Sequence, residues 1–588
     1  MFNLILLLFT VFLPGLCWLF ALGFWRDMKL LELISISIGL SIAFISLFSA
    51  FLAYFDLFLM AWPFWLLLGG CFVYVAVYIR GNHPLRLNRD LLNLSLTDFV
   101  VLYAFLLHVI LLLSYFYKYP VFHGTWSGDP LIHSSHVKNI VNLGGGSLIR
   151  GMPYPLGLHF VLGFVARFLG GELLMSVRYG VAFIEALGIL LVYSAGLRMS
   201  EDKRLALFSS LTYALILVPG LFHLASSGTY SNLFGDFNTL LTFYLILVSM
   251  KHGVTLKSGL SLVFVGLVLA FSHSTVFIFF TFLWIFIPLV LWVYRDLFRR
   301  YVTSTFMLSI SPIIVFLLFP WLILRLTWVL RGGFISIRVR NPVYDFFEAY
   351  APKLLVLGSF SLTTGLWLFF AVLGSILLIF KFRRNIWYVF TLGLFLYAVA
   401  LSSQGLSVWR FARYMLLPST FLLGFLLLHV YTQAEKRFSK LLSRKSLSEA
   451  CVKGSIFAII MCITLLGPTY FFMLNNALEG GEVRLRQEEI FDSMLWIRDG
   501  TPLNATFISV WLPEYRYLSL VADRKWLGNY DVNAMESLEL CGKKPFQYVA
   551  IWKGYDGLSG YIQGGFFKKV YENSQIVIMG LKAQNLRV

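Results

Sequence analysis

The chain has 588 residues, 59% of them hydrophobic and 13% charged, with a mean hydropathy of +0.80 and a formal net charge of +18. Soluble domains carry about a quarter charged residues, so this composition excludes a purely aqueous protein and points to a polytopic membrane protein. In such a chain the positive charge reads as a topological signal on cytoplasmic loops, and not as a nucleic-acid footprint.

A helix needs about 20 mainly apolar residues to cross a bilayer. On that measure spans are expected at 2–24, 31–56, 58–79, 97–116, 172–197, 205–223, 237–250, 258–272, 274–294, 304–324, 357–380, 385–402, 411–430 and 454–474. The first of these lacks a basic n-region and a small-residue cleavage site, so it reads as a retained span and not a signal peptide. Placing the Arg80–Arg89 loop in the cytoplasm makes alternate loops basic throughout, and those loops collect nearly half of the 47 Lys and Arg residues. The same orientation puts Gly124–Lys138 and everything after Leu474 outside. The five cysteines show neither metal nor disulfide spacing.

Outside, the loop after Phe116 contains a second apolar helix, Pro155–Leu169. It is too short to span and is expected at the membrane interface. A long loop, Leu326–Leu355, and a short turn, Ser402–Arg413, face the same side. From about Asn476 the composition changes. RLRQEEIFDSMLWIRDG has helical spacing of Ile490, Met494 and Ile497, while NATFISV, FQYVAIW and SQIVIMG read as strands. The expected organisation is therefore N-terminal transmembrane helices over 1–96, a transmembrane core with outer loops over 97–475, and an extracytoplasmic α/β domain over 476–588. About fourteen helices would cross the membrane.

Chemistry concentrates in GTWSGDPLIHSSHVK, residues 124–138. Asp129 can accept a proton from a hydroxyl or hold a hard cation. His133 and His136 follow at helical spacing, so all three share one face of a helix starting near Pro130. The bland reading makes Asp129 an N-terminal cap of that helix and the histidines interfacial. Asp236, in GTYSNLFGDFNT, brings a second carboxylate to the start of a span, as a partner of Asp129 or as another cap. Arg410 and Arg413 lie on the side that the charge rule should deplete of Arg, and guanidinium forks suit phosphate oxygens. Snorkelling to lipid headgroups is their bland alternative. Arg178 and Glu185 lie two turns apart within one span, as a relay pair or a structural ion pair.

GDPLIHSSHVKNIVNLG, YPLGLHF, GTYSNLFGDFNT and WRFARYMLLPS together resemble segments of the GT-C membrane glycosyltransferases. The archaeal oligosaccharyltransferase catalytic subunits give the nearest likeness. Where those carry WWDYG, this chain has Trp511-Leu-Pro-Glu-Tyr515, so the resemblance is to a lipid-linked sugar transferase of the superfamily and not to an oligosaccharyltransferase proper. It implies a polyprenyl-phosphate sugar donor, inversion at the anomeric carbon and Asp129 as base. Arg410, Arg413 and Lys138 would meet the donor phosphate, and Tyr154 and Glu348 would bind substrate. Metal dependence varies within the superfamily; where a divalent cation (Mg or Mn) is used, Asp129, His133 and Asp236 are its candidate ligands.

The rival expectation is a transporter or flippase of lipid-linked saccharides, which would bury its polar site at mid-bilayer between repeats. No repeat is visible in this sequence. A scaffold that merely presents the tail domain would need no convergence of acidic and basic residues from separate loops.

Overall fold

The computed structural model describes residues 2–81, 94–118, 129–151, 155–169, 173–214, 230–273, 277–318, 371–377, 385–403, 408–442, 482–510, 522–530, 547–553 and 567–581. The chain forms two compact units. One comprises Met1–Leu113, Asn139–Ala225 and Thr229–Tyr470; the other comprises Ser114–Lys138, Ser226–Gly228 and Phe471–Val588.

The first unit is helical. Its described helices are α1 (Phe2–Leu22), α2 (Leu30–Tyr54), α3 (Trp62–Gly81) and α4 (Leu96–Lys118), which the unit boundary cuts between Leu113 and Ser114, then α5 (Asp129–Leu143), cut between Lys138 and Asn139. There follow α6 (Gly146–Gly151), α7 (Gly157–Leu169), α8 (Leu173–Ser200), α9 (Tyr230–His252), α10 (Leu256–Ser272), α11 (Phe277–Val293), α12 (Arg295–Leu318), α13 (Ile386–Ser403) and α14 (Val408–Leu442). Residues 203–214 and 371–377 are also helical. Six of the described helices are long and apolar enough to cross a membrane, so the protein is a multi-pass helical membrane protein. The expected span 454–474 and most of 357–380 lie outside the described residues.

Helix α2 is central: it packs on α1, α7 and α8. Pro14 inside α1 has no N–H and disturbs the local ladder. The next amide, Gly15 N–H, donates to Ser41 Oγ of α2 at 2.8 Å. A Cβ on Gly15 would sit 1.9 Å from the Ser37 carbonyl oxygen, so only glycine lets the backbones approach this closely. Gly15→Ala is therefore expected to cost about 1–3 kcal/mol by overpacking. Thermal unfolding in detergent checks this, and an unchanged midpoint would mean that α1 and α2 stand further apart.

The basic loops gather at one end of this unit. Arg198 donates to the Asp27 carbonyl at 2.9 Å, Lys257 to the Ala21 carbonyl at 3.0 Å and Arg300 to the Met250 carbonyl at 3.0 Å, while Lys251 pairs with Glu201. Loops that the charge rule places on one side of the membrane thus share an end of the helices. At the other end Arg150 grips Asp56 at 2.9 Å and the Tyr54 carbonyl at 2.8 Å.

Helix α7 departs from expectation. It is not an interfacial helix lying on lipid: Leu156, Leu158, His159, Phe160 and Leu162 are fully buried, and it packs on α2, α8 and α9. Short helices persist at membrane depth where they are buried in protein and bonded to their neighbours. Here Ser46 Oγ donates to the Gly157 carbonyl at 3.0 Å. Arg167, in the last turn, reaches back to the Leu59 and Val141 carbonyls at 2.6 and 3.2 Å. Helix α3 is the opposite case. Trp65, Leu66, Phe72, Val73 and Val77 are exposed on it, an apolar face suited to lipid.

The second unit holds α15 (Glu482–Gly500) and a five-stranded sheet of β1 (Thr506–Val510), β2 (Lys525–Tyr530), β3 (Tyr548–Trp552), β4 (Phe567–Glu572) and β5 (Ile576–Leu581). The order is β2-β1-β3-β5-β4, with β1 parallel to β2 and β3, and β5 antiparallel to β3 and β4. Ile490, Met494 and Ile497 form the buried stripe of α15 read from the sequence. Asn573 after β4 donates to the Glu489 carbonyl and Ser493 Oγ at 2.7 and 2.8 Å, and Trp496 stacks on Tyr571.

Candidate functional site

The polar passage folds as expected in its second half. Helix α5 begins at Asp129, with Pro130 in its first turn, where proline's fixed φ and missing N–H cost nothing. Burial, with His136 beside it, pushes the His133 imidazole down to about 3. His133 is therefore neutral at neutral pH. Among the described residues no three His, Cys, Asp or Glu side chains gather to hold a metal ion; the Asp129 side chain lies outside them.

Lys138, one of the groups expected to meet phosphate, has a different partner. Its Nζ donates to Asp523 Oδ1, within the same compact unit, at 2.5 Å. A lysine already matched by a carboxylate presents little net charge to a second anion.

Asp236 is not at the start of a span. Helix α9 begins at Tyr230, so Asp236 stands in its second turn, half-buried, and the cap reading fails there. The expected start at 237 came from hydropathy, which the polar residues Ser231, Asn232 and Asp236 depress. The helix tolerates such residues by internal bonding: Asn238 donates to the Phe234 carbonyl and Ser272 Oγ, both at 2.8 Å, and Thr239 to the Gly235 carbonyl. Arg410 and Arg413 lie in the first turns of α14, their side chains outside the described residues. Tyr154, Glu348 and the Leu326–Leu355 loop lie outside them altogether.

Arg178 and Glu185 are both fully buried. Glu185 meets His108 of α4, with His108 Nε2 3.7 Å from Glu185 Oε1. Nothing in the sequence marks His108, because a lone histidine in an apolar span carries no pattern. The fully bonded acids are elsewhere. Asp98 accepts from Tyr193 Oη at 2.6 Å, the Ser95 amide at 2.7 Å and Lys203 at 3.2 Å. Glu32 accepts from Arg198 at 2.5 Å and Tyr244 at 2.7 Å. Both of these acids sit at the basic-loop end and join helices.

No protein-family model matches the chain, and no curated protein does. Solved structures do. ArnT from Cupriavidus metallidurans bound to undecaprenyl phosphate is similar at 12% identity and a TM-score of 0.57, over 83% of this chain and 99% of that one. Its apo state gives 12% identity and a TM-score of 0.51, over 82% and 98%. Archaeal oligosaccharyltransferase AglB from Archaeoglobus fulgidus, in complex with an inhibitory peptide and a dolichol-phosphate, gives 16% identity and a TM-score of 0.47, over 78% and 69%. The present chain shares the fold of the two ArnT structures.

Proposed function

We propose that this protein is a membrane glycosyltransferase that moves a sugar from a polyprenyl-phosphate-linked donor to an acceptor at the outer membrane face. One observation carries the reading: the fold follows ArnT along 99% of that chain, in a structure bound to undecaprenyl phosphate. The sequence resemblance at residues 128–144 and 409–419 supports it independently.

In the proposed reaction Asp129 takes the proton of an acceptor hydroxyl. The freed oxygen attacks the anomeric carbon with inversion, a new glycosidic bond forms, and the bond from that carbon to the phosphate oxygen breaks. The electron pair leaves with the polyprenyl phosphate. Charge grows on that phosphate in the transition state, and fixed cations there lower the barrier; Arg410 and Arg413 are assigned that task from the sequence. Tyr154 and Glu348 are assigned to substrate binding on the same ground. The tail domain is proposed to be extracytoplasmic, because the charge rule puts it opposite the basic loops.

The alternative role for Asp129 is as ligand of a divalent cation, with His133 and Asp236 as the other expected ligands. A neutral imidazole with two carboxylates suits Mn better than Mg, which prefers oxygen and water.

The test is transfer by purified protein from radiolabelled polyprenyl-phosphate sugars, with and without EDTA. Label is expected in an acceptor, with loss of turnover in EDTA and recovery in added Mn. Unchanged turnover in EDTA would strike the cation from the mechanism. Movement of intact lipid-linked saccharide across proteoliposomes, with no transfer, would make the protein a flippase.

A further inference from the structure

The structure assigns Asp523 as a positioning residue: by holding Lys138 it fixes the helix that carries Asp129. The catalytic consequence rests on the proposed function; the contact does not.

Lys138 stands nine residues beyond Asp129 on α5, about 14 Å along the helix axis. Its ammonium meets Asp523 at 2.5 Å. An ion pair of this exposure (Lys138 23%, Asp523 63%) is by itself weak. What distinguishes it is the rigidity of the carboxylate's mount. Asp523 has φ +53°, the left-handed region that Asp and Asn enter more readily than other L-residues, and the turn around it is tied down by its neighbour.

The holder is Arg524, which is 3% exposed. Its guanidinium donates to the Arg498 and Thr501 carbonyls at 2.5 and 2.6 Å and to Thr501 Oγ1 at 3.0 Å, all at the C-terminal end of α15. It also donates to the Ala522 and Asp523 carbonyls, each at 3.2 Å. Helix ends leave carbonyls without intrahelical partners, and a buried guanidinium fork satisfies several of them at once. The turn 522–524 is thus locked to α15 on one side and runs straight into β2 on the other. Asp523 loses little further freedom on meeting Lys138, so the pair can set the place of α5 despite its exposure. The arrangement gives Lys138 a carboxylate partner beside its expected place at the donor phosphate.

The experiment uses the full chain with Asp523→Asn, Lys138→Met and the double variant. Asn keeps the size of Asp and tolerates the left-handed conformation, so the fold is preserved while the charge is lost. Hydrogen–deuterium exchange of residues 130–138 is measured beside transfer kinetics. Each single variant and the double are expected to speed exchange by the same factor, about three- to fivefold, with no additivity. kcat should fall with it while donor KM stays unchanged. A raised donor KM in Lys138→Met, with normal kinetics and exchange in Asp523→Asn, would overturn the proposal and return Lys138 to the donor phosphate. If the wild type transfers no sugar, the exchange data alone still decide whether Asp523 holds the helix.

Discussion

Asp129→Asn is expected to cut sugar transfer by about 10²–10⁴-fold while the protein stays folded, the usual range for loss of a general base. The substitution separates two roles that alanine would confuse. Helix α5 begins at Asp129, and Asn serves a helix N-terminus about as well as Asp. Only the dipole's preference for a full negative charge is lost, at about 0.3–1 kcal/mol. An amide, however, cannot take a proton from a hydroxyl. The measurement is turnover at saturating donor beside the thermal unfolding midpoint. Full activity in Asp129→Asn would reduce this residue to a helix-starting role, and the base would have to be sought elsewhere.

Glu32→Leu is expected to destabilise the helical unit by about 3–5 kcal/mol, the cost of stranding a buried charge. Glu32 is 2% exposed and lies in the first turn of α2. Its carboxylate receives Arg198 of α8 and Tyr244 of α9, and its other oxygen accepts from the Lys29 amide at 3.2 Å. Leucine leaves the Arg198 guanidinium without its carboxylate and the Tyr244 hydroxyl without its acceptor. Glu32→Gln is the control: it keeps acceptors for both donors and loses only the charge, so its cost should be smaller. Unfolding in detergent checks the pair. A loss below about 1 kcal/mol in Glu32→Leu would mean that water reaches Arg198 in the folded protein.

The missed strands show which features a sequence hides. β1, β3 and β5 were visible because interior strands of a covered sheet are apolar runs. β2 (KWLGNY) and β4 (FKKVYE) were not, and they are the two edges of the sheet. An edge strand with one side in water needs no continuous apolar pattern and often carries lysine, as β4 does at Lys568 and Lys569. The early start of α9 was hidden for a related reason. Hydropathy scores side chains one at a time, and cannot see that the first turns holding Ser231, Asn232 and Asp236 are packed against protein. Of the candidate site, the helix starting at Asp129 was legible, because Asp-Pro marks a helix start and the polar passage interrupts an apolar chain.

By itself the sequence determined that this is a multi-pass membrane protein with a small α/β tail, and which loops share a side. Those properties are local sums of hydropathy and charge, so they survive without knowledge of neighbours. Only the tertiary structure decided that α7 is buried in protein, that Glu185 faces His108, and that Lys138 is held by Asp523. Each of these depends on where a distant segment comes to lie, 385 positions away in the last case, and no periodicity or charge count along the chain encodes a pairing of that range.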